Sequence, residues 1–420
     1  MSATGPAVPA GALAEPVERV GRGWTSALSL ANGAIWVGWY GPLQILLAAQ
    51  AEDFAPGTGM SKETLLAWIT GAGAVVSLIA NPLFGALSDR TTARRGRRTP
   101  WIVAGAAGGA LSLLLLGRAD GPWTAVAGWC LVQLTLNAAF AAVTAAVPDR
   151  VPRFQRGSVG GWLGAAQILG VVGGTALATA AGGTGGGYAA CAVFTLVGVL
   201  PYVLRYEDLR LPVAARPVWS WRAFLGSFRL SPRRHPDLAW AWLTRFLINL
   251  SNALVLLYLL YYLRDRLHHD DPEQGVLILT AVNGVTLLAT VVVGGVWSDR
   301  VGRRKPFVVW SGVLMAVATA ALAGWQTWPG AIVAAAVLGV GFGVFTSVDF
   351  ALMTDVLPTA LDRGKDLGVI NIANALPQVA APVLAAPVVT YLGGYRVLYA
   401  VAAVIGLAGA VLVGRIKGVD

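Results

Sequence analysis

The sequence predicts an all-α membrane protein, with twelve transmembrane helices in two pseudo-symmetric six-helix bundles. Three observations carry that prediction. Of the 420 residues, 56% are apolar and only 12% charged, about half the charged share of a soluble domain. Apolar stretches of spanning length recur along the whole chain. Short motifs in the first half return, in the same order, in the second.

Stretches of about 17–25 apolar residues are long enough to cross the ~30 Å hydrocarbon core. They fall at 25–50, 62–87, 100–117, 123–147, 157–181, 187–204, 237–262, 274–297, 306–324, 329–353, 366–392 and 395–414. The 52 glycines and 16 tryptophans suit such spans, since glycine is tolerated in membrane helices and tryptophan collects at their interfaces. Residues 1–24 lack the apolar core of a signal peptide and are expected to form a disordered cytoplasmic tail. The first bundle is then 25–204, a cytoplasmic linker 205–236, the second bundle 237–414 and a short cytoplasmic tail 415–420.

Lys and Arg fix the expected orientation. Alternate loops on the side of both termini hold 25 of the 31, the opposite side five, and Arg245 alone lies inside a span. The positive-inside rule places both termini in the cytoplasm of a multi-pass protein of the cell membrane. The net charge of +10 is therefore spread over short loops as topology requires, with no nucleic-acid recognition motif. The 205–236 segment reads as a linker, with contact to anionic lipid as its alternative.

Enzyme chemistry finds no support. There is no HExxH, Walker loop, nucleophile elbow or Cys/His cluster, and no cofactor is implied. Cys130 and Cys191 lie inside apolar runs, with neither disulfide nor zinc spacing. His235, His268 and His269 fall in loops, where solvation is the simpler reading.

The repeat is specific. Gly85-Ala86-Leu87-Ser88-Asp89-Arg90 recurs as Gly295-Val296-Trp297-Ser298-Asp299-Arg300, an offset of 210. Gly96-Arg97-Arg98-Thr99-Pro100 recurs as Gly302-Arg303-Arg304-Lys305-Pro306, an offset of 206. Asp149, Pro152, Arg156 and Gly157 match Asp355, Pro358, Arg363 and Gly364. Duplicated six-helix halves are the layout of transporters whose bundles rock about a midplane site.

These loops, after spans two and eight, resemble the signature loop of the major facilitator superfamily. The longer first copy, Asn81-Pro82 through Pro100-Trp101, is most similar to the sugar/cation symporter branches. Those are the glycoside–pentoside–hexuronide and sucrose/proton symporter-like proteins. The resemblance implies alternating access and a cytoplasmic gate in which Asp89 docks on the start of helix 11, near Asp366-Leu367-Gly368. Arg90, Asp299 and Arg300 belong to the same gate motif. Gly85 is expected to let two helices approach closely. Arg94, Arg95, Arg97 and Arg98 are expected to hold acids or phospholipid headgroups, with plain topology signalling as the alternative.

Polar residues inside spans are costly and mark a pathway by default. Helical spacing puts Asn32, Trp36 and Tyr40 on one stripe of helix 1, with Gln44 a turn further. Gln133 and Asn137 share a face of helix 4 with Thr144. Asn249 and Asn252 follow Arg245 at four and seven residues in helix 7, and Asn371, Asn374 and Gln378 repeat the pattern in helix 11. Gln167 occupies the repeat position of Asn374, and Asn283 lies in helix 8. Amides and an indole platform suit a neutral polyhydroxyl ligand. Their bland alternative is glue between helices, to which close glycines such as Gly157, Gly161, Gly170 and Gly174 also belong. The sequon at Asn249-Leu250-Ser251 lies inside a span, where no glycan attaches.

Arg245 and Asp349 reach comparable depths, about 12 and 9 Å from one face at ~1.5 Å per residue, so pairing is expected. Helix 2 carries no acid after Glu63, so the sodium site of melibiose-type relatives is absent. Together these features predict a monomeric secondary transporter in membrane lipid, taking up a small sugar or glycoside with a proton as coupling ion. Export of an amphiphilic drug or natural product is the alternative, and a channel the rival class.

Overall fold

The computed structural model describes residues 16–216, 219–221, 236–301, 303–355 and 363–417. Among the described residues twelve long helices follow in order: α1 Arg22–Gly41, α2 Lys62–Ser88, α3 Thr99–Leu116, α4 Pro122–Arg150, α5 Arg153–Ala180, α6 Thr184–Arg205, α7 Pro236–Leu257, α8 Pro272–Val301, α9 Lys305–Gly324, α10 Trp328–Asp355, α11 Arg363–Tyr391 and α12 Gly394–Leu412. Ten of them are long and apolar enough to cross a membrane among the described residues. The other two are α1, diluted by Asn, Ser and Gly, and α11, interrupted by Pro377, Pro382 and Pro387. The described chain ends, Pro16 and Lys417, share one face with the described parts of the duplicated loops, the motif face.

The first helix of each half loses α-geometry near the opposite face. Pro42 has no N–H to donate, and the chain passes through a π-turn at Pro42–Leu46, where the Leu47 N–H donates to the Pro42 carbonyl. It then resumes as a helix over Leu47–Phe54. In the second half α7 breaks at Tyr258, and a π-turn covers Tyr262–Arg266. Such insertions recur at functional sites.

Within the first half, α1 packs on α5 and α6, and α4 on α2 and α3; within the second, α10 lies on α8 and α9, and α12 on α7 and α9. The halves meet along α2–α11 and α5–α8. At the second seam an added Cβ on Gly284 would sit 3.1 Å from Ile168 and 3.2 Å from Val172.

Two expectations change. The expected tail is shorter than 1–24, because α1 starts at Arg22 and the Val20 backbone exchanges two 2.9 Å hydrogen bonds with the Gln155 amide. The start of the linker is structural: Asp208 accepts from the Thr99 N–H at 3.0 Å and caps α3, while the Leu209 carbonyl accepts from the Arg97 N–H at 3.1 Å. Gly96 makes this turn with φ +94°, and a Cβ there would collide with Asp208.

Candidate functional site

A cavity of about 110 Å³ lies between the halves, lined from α1, α5, α7, α8, α9 and α10. That is room for several waters or part of a small ligand. Its polar groups are Tyr40, Gln44, Gln167, Asn252, Thr280 and Asn283; thirteen of the twenty lining residues are apolar, and none is charged. The π-turn sets Gln44 on this wall. The Thr280 hydroxyl donates to Gln44 Oε1 at a long 3.4 Å, and Gln44 Nε2 is buried without a partner. Asn283 spends one donor on the Ala335 carbonyl, 3.1 Å away in α10.

Other amides of the predicted stripes tie helices together. Asn32 is 2% exposed and donates to the Leu163 carbonyl at 2.9 Å, joining α1 to α5. Asn137 donates to Ser77 at 3.0 Å and to Gln133 Oε1 at 3.2 Å, and accepts from Asn81 at 3.3 Å, joining α4 to α2. Asn249 donates to the Arg245 carbonyl, 2.9 Å away in its own helix. Trp36 stands outside the lining, in an aromatic cluster with Trp39, Tyr40 and Phe140 at ring separations of 5.4–5.9 Å. Gln378 is exposed, and the side chains of Asn371 and Asn374 lie outside the described set. Thr280 and Phe342, both lining, carried no sequence signal, because a lone Thr or Phe in a span is ordinary core.

Arg245 and Asp349 do pair, with Nε 3.2 Å from Oδ2 and side-chain exposures of 14% and 3%. Asp349 Oδ1 is buried without a hydrogen-bond partner. Removing either member leaves an uncompensated buried charge.

At the face opposite the motif loops a polar strap joins the halves. Lys62 lies 2.8 Å from Asp265 and 3.4 Å from Glu52, with its ammonium 4.8 Å from the centre of the Tyr261 ring. Arg264 pairs with Glu52. The hydroxyls of Tyr258 and Tyr261 donate to the carbonyls of Glu63 and Ala48 at 2.9 and 2.7 Å. Tyr395 lies 3.1 Å from Glu63 and 2.9 Å from Asp265, and Ser61 3.3 Å from Thr390. Every one of these contacts crosses between the halves except Lys62–Glu52 and Tyr395–Asp265. In the sequence Lys62 and Arg264 served only to count topology, and Glu63 only to mark where the acids of helix 2 end.

A model of the Major Facilitator Superfamily matches residues 28–287 and 241–418. The chain belongs to the major facilitator superfamily. Sequence relatives are distant: myo-inositol transporter 3C of Cryptococcus neoformans var. grubii is 31% identical over 136 residues, 32% of this chain and 22% of that protein. Myo-inositol transporter 3 of the same fungus is 32% identical over 128 residues, 30% and 21%. The match thus spans about a fifth of the length of these curated relatives. Among solved structures, the nucleoside transporter NupG (D323A mutant) is similar with a TM-score of 0.73 at 12% identity, covering 94% of this chain and 98% of that one. The human organic anion transporter MFSD10 (TETRAN) gives 0.69 at 18%, covering 93% and 99%. At these identities the likeness is one of fold.

The superfamily's signature loop is built on Asp149. Its carboxylate takes the Arg97 guanidinium, with Nε at 3.0 Å, and the Arg98 Nε at 2.8 Å, all three side chains at most 8% exposed. Burial works against the Arg98 charge, but Asp149 and Asp89 outweigh it and hold its pKa above the ordinary guanidinium value. Asp89, half exposed, accepts from Arg98 at 2.6 Å. Arg90 lies 4.7 Å over the Trp219 ring and donates to the Ala86 carbonyl. Arg94, Arg95 and Arg300 are exposed; Asp299 and the side chains of Asp366 and Leu367 lie outside the described set. The close approach expected at Gly85 is corrected here: an added Cβ would meet nothing within 4 Å, whereas at Gly73 it would collide with Trp129.

Proposed function

We propose that this chain is a secondary active transporter of a small organic solute that works by alternating access. Its two halves, 25–204 and 237–414, are the moving bodies. The observation that carries this reading is the uncharged cavity between the halves, lying beneath a strap that ties them at one face. The positive-inside excess in the loops supports a plasma-membrane protein with both termini and the motif face in the cytoplasm. The strap face is then the outer gate, and the structure is a state closed to the outside.

A neutral, polyhydroxylated solute suits the lining. Amide, phenol and hydroxyl groups both donate and accept, and no ion pair stands in the cavity to select a charged ligand. The distant likeness to transporters named for myo-inositol agrees with a sugar or polyol taken up by one copy of the chain in membrane lipid. Arg245 and Asp349 are the proposed proton-coupling pair. A helix movement that parts them leaves a buried carboxylate that is neutralised by taking a proton. Export of an amphiphile is a second reading, favoured by the thirteen apolar lining residues.

Proteoliposomes under an imposed pH gradient test both. Labelled myo-inositol and hexoses are expected to accumulate saturably. Asp349→Asn is expected to abolish gradient-driven accumulation while equilibrium exchange continues. Accumulation retained in that variant, or driven by sodium in the parent, removes the coupling pair. Efflux of amphiphiles without polyol uptake reverses the direction.

A further inference from the structure

The cavity between the halves has two unlike walls. Of its thirteen apolar lining residues ten belong to the second half, among them Leu256, Leu279, Leu338 and Phe342, while the first half supplies Ile168, Val171 and Val172. The six polar residues are divided evenly between the halves, but they are not equally free. In the second half Thr280 donates to Gln44 and Asn283 spends one donor on the Ala335 carbonyl, which leaves Asn252 and the rest of Asn283. In the first half the Tyr40 hydroxyl and the Gln167 amide make no hydrogen bond among the described residues, and Gln44 Nε2 is buried without a partner. Because α1 packs on α5, these three groups come from one side of the cavity.

The cost of burial decides what such walls select. A hydroxyl brought against Leu279 and Leu338, which are 2% and 3% exposed, loses its water and finds no partner in exchange. An apolar group placed there is favoured in proportion to the area it hides. At the first-half wall the preference reverses, since a phenol and two amides offer both donors and acceptors. A ligand hydroxylated on every edge suits one wall and is penalised at the other. A plain amphiphile leaves Tyr40, Gln44 and Gln167 unserved. A polar head with an apolar substituent on its opposite side satisfies both.

We infer that the ligand is a glycoside held in one orientation, its sugar hydroxyls on Tyr40, Gln44 and Gln167 and a small apolar aglycone on the second-half wall around Leu256, Leu279, Leu338 and Phe342. Such a ligand belongs to the neutral, polyhydroxylated class proposed above, on which this reading rests, and narrows it. Free sugars and polyols fill the head position alone and bind more weakly. With its head on one half and its aglycone on the other, the ligand itself bridges the two moving bodies.

Calorimetric titration of the full chain in lipid nanodiscs tests this without transport. The probes are glucose, galactose and the methyl, ethyl, propyl and butyl glycosides of each in both anomers, with butanol as the sugar-free control. Affinity in the preferred series is expected to rise about fourfold for each methylene that reaches the wall, and butanol to bind far more weakly than the butyl glycoside. Leu256→Asn sets an amide on the apolar wall and should flatten that rise, with the free sugar bound as in the parent. Gln167→Leu should weaken free sugar and glycoside alike, by roughly tenfold for one hydrogen bond, and keep the rise. The alkyl series on the parent protein decides the matter should either variant fail to fold. Equal affinity along the series, or a rise that survives Leu256→Asn, overturns the assignment and leaves the polyol reading standing. Butanol binding as tightly as the butyl glycosides, or no binding of any sugar or glycoside, overturns both.

Discussion

The two faces of this molecule spend their charges differently. At the motif face, Asp149 sits between Arg97 and Arg98, and Asp208 caps α3, so the described network there joins loops and helix ends of the first half. At the strap face, Lys62, Arg264 and the three tyrosines reach from one half to the other. The side chains of Arg97, Arg98 and Asp149 are at most 8% exposed, whereas the strap ions are 20–33% exposed. Burial separates their purposes. Ions sunk beneath a loop are held by the fold, because parting them strands a charge in a poor medium. Ions at a wet seam between two bodies can exchange partners for water at little cost, typically ~0–1 kcal/mol per pair. A permanent scaffold and a reversible closure need these two different chemistries.

The largest expected effect tests the scaffold. Asp149→Ala leaves two buried guanidiniums without their shared carboxylate, a loss of roughly 3–5 kcal/mol. It should lower the thermal midpoint and the yield of folded protein. Asp89→Asn, at a half-exposed carboxylate paired with Arg98, should leave the midpoint near the parent value. If the two variants melt alike, the distinction drawn from burial at the motif face fails.

Hydropathy alone located the spans well, because a bilayer demands twenty-odd apolar residues whatever the packing. Eleven of the helices fall within five residues of those expectations, while α1 ends at Gly41, nine residues early, where the π-turn begins. Depth and charge also sufficed to pair Arg245 with Asp349, since a membrane leaves an ion few alternatives. The cavity was less legible. Period-four spacing puts Asn32, Trp36, Tyr40 and Gln44 on one stripe, yet only the last two line the cavity. Spacing identifies a face and says nothing of where along it the neighbouring helices part. The strap was hidden for a further reason. Its partners come from the Leu47–Phe54 helix, α2, the segment after α7, α11 and α12, and the π-turn at Tyr262–Arg266 holds Arg264 and Asp265.

The same limit gives a middle-sized test. Gln44 and Asn137 are both buried amides of the first half, but Gln44 Nε2 is unpartnered at the cavity wall and Asn137 is bonded to Ser77, Gln133 and Asn81. Asn137→Ala strands those partners at about 1–3 kcal/mol and should lower the thermal midpoint. In the protein that remains folded, polyol binding should be unchanged. Gln44→Ala should reverse the pattern, weakening polyol binding roughly tenfold for one hydrogen bond of about 1.4 kcal/mol, with the midpoint preserved. Calorimetric titration beside a melting curve separates them, and equal effects in both assays would erase the difference between glue and site.

The smallest effect on stability is the most informative about the motif face. Gly85 stands in the duplicated motif, inside α2, with open space where a Cβ would be. Alanine there relieves the helix of a glycine, worth about 0.5–1 kcal/mol. In the state described, Gly85→Ala should therefore melt no lower than the parent. A glycine that is free here can still be needed when the halves come together at this face, where an added methyl would cost roughly 1–3 kcal/mol of overpacking. The variant should then be biased towards the strap-sealed state, with labels across the strap face reporting a larger short-distance fraction. Transport should slow by about tenfold while ligand still binds. Unchanged transport together with an unchanged distance distribution would mean that no close approach occurs at Gly85 in either state. The closing contact would then have to be sought elsewhere along the seam of α2 with α11.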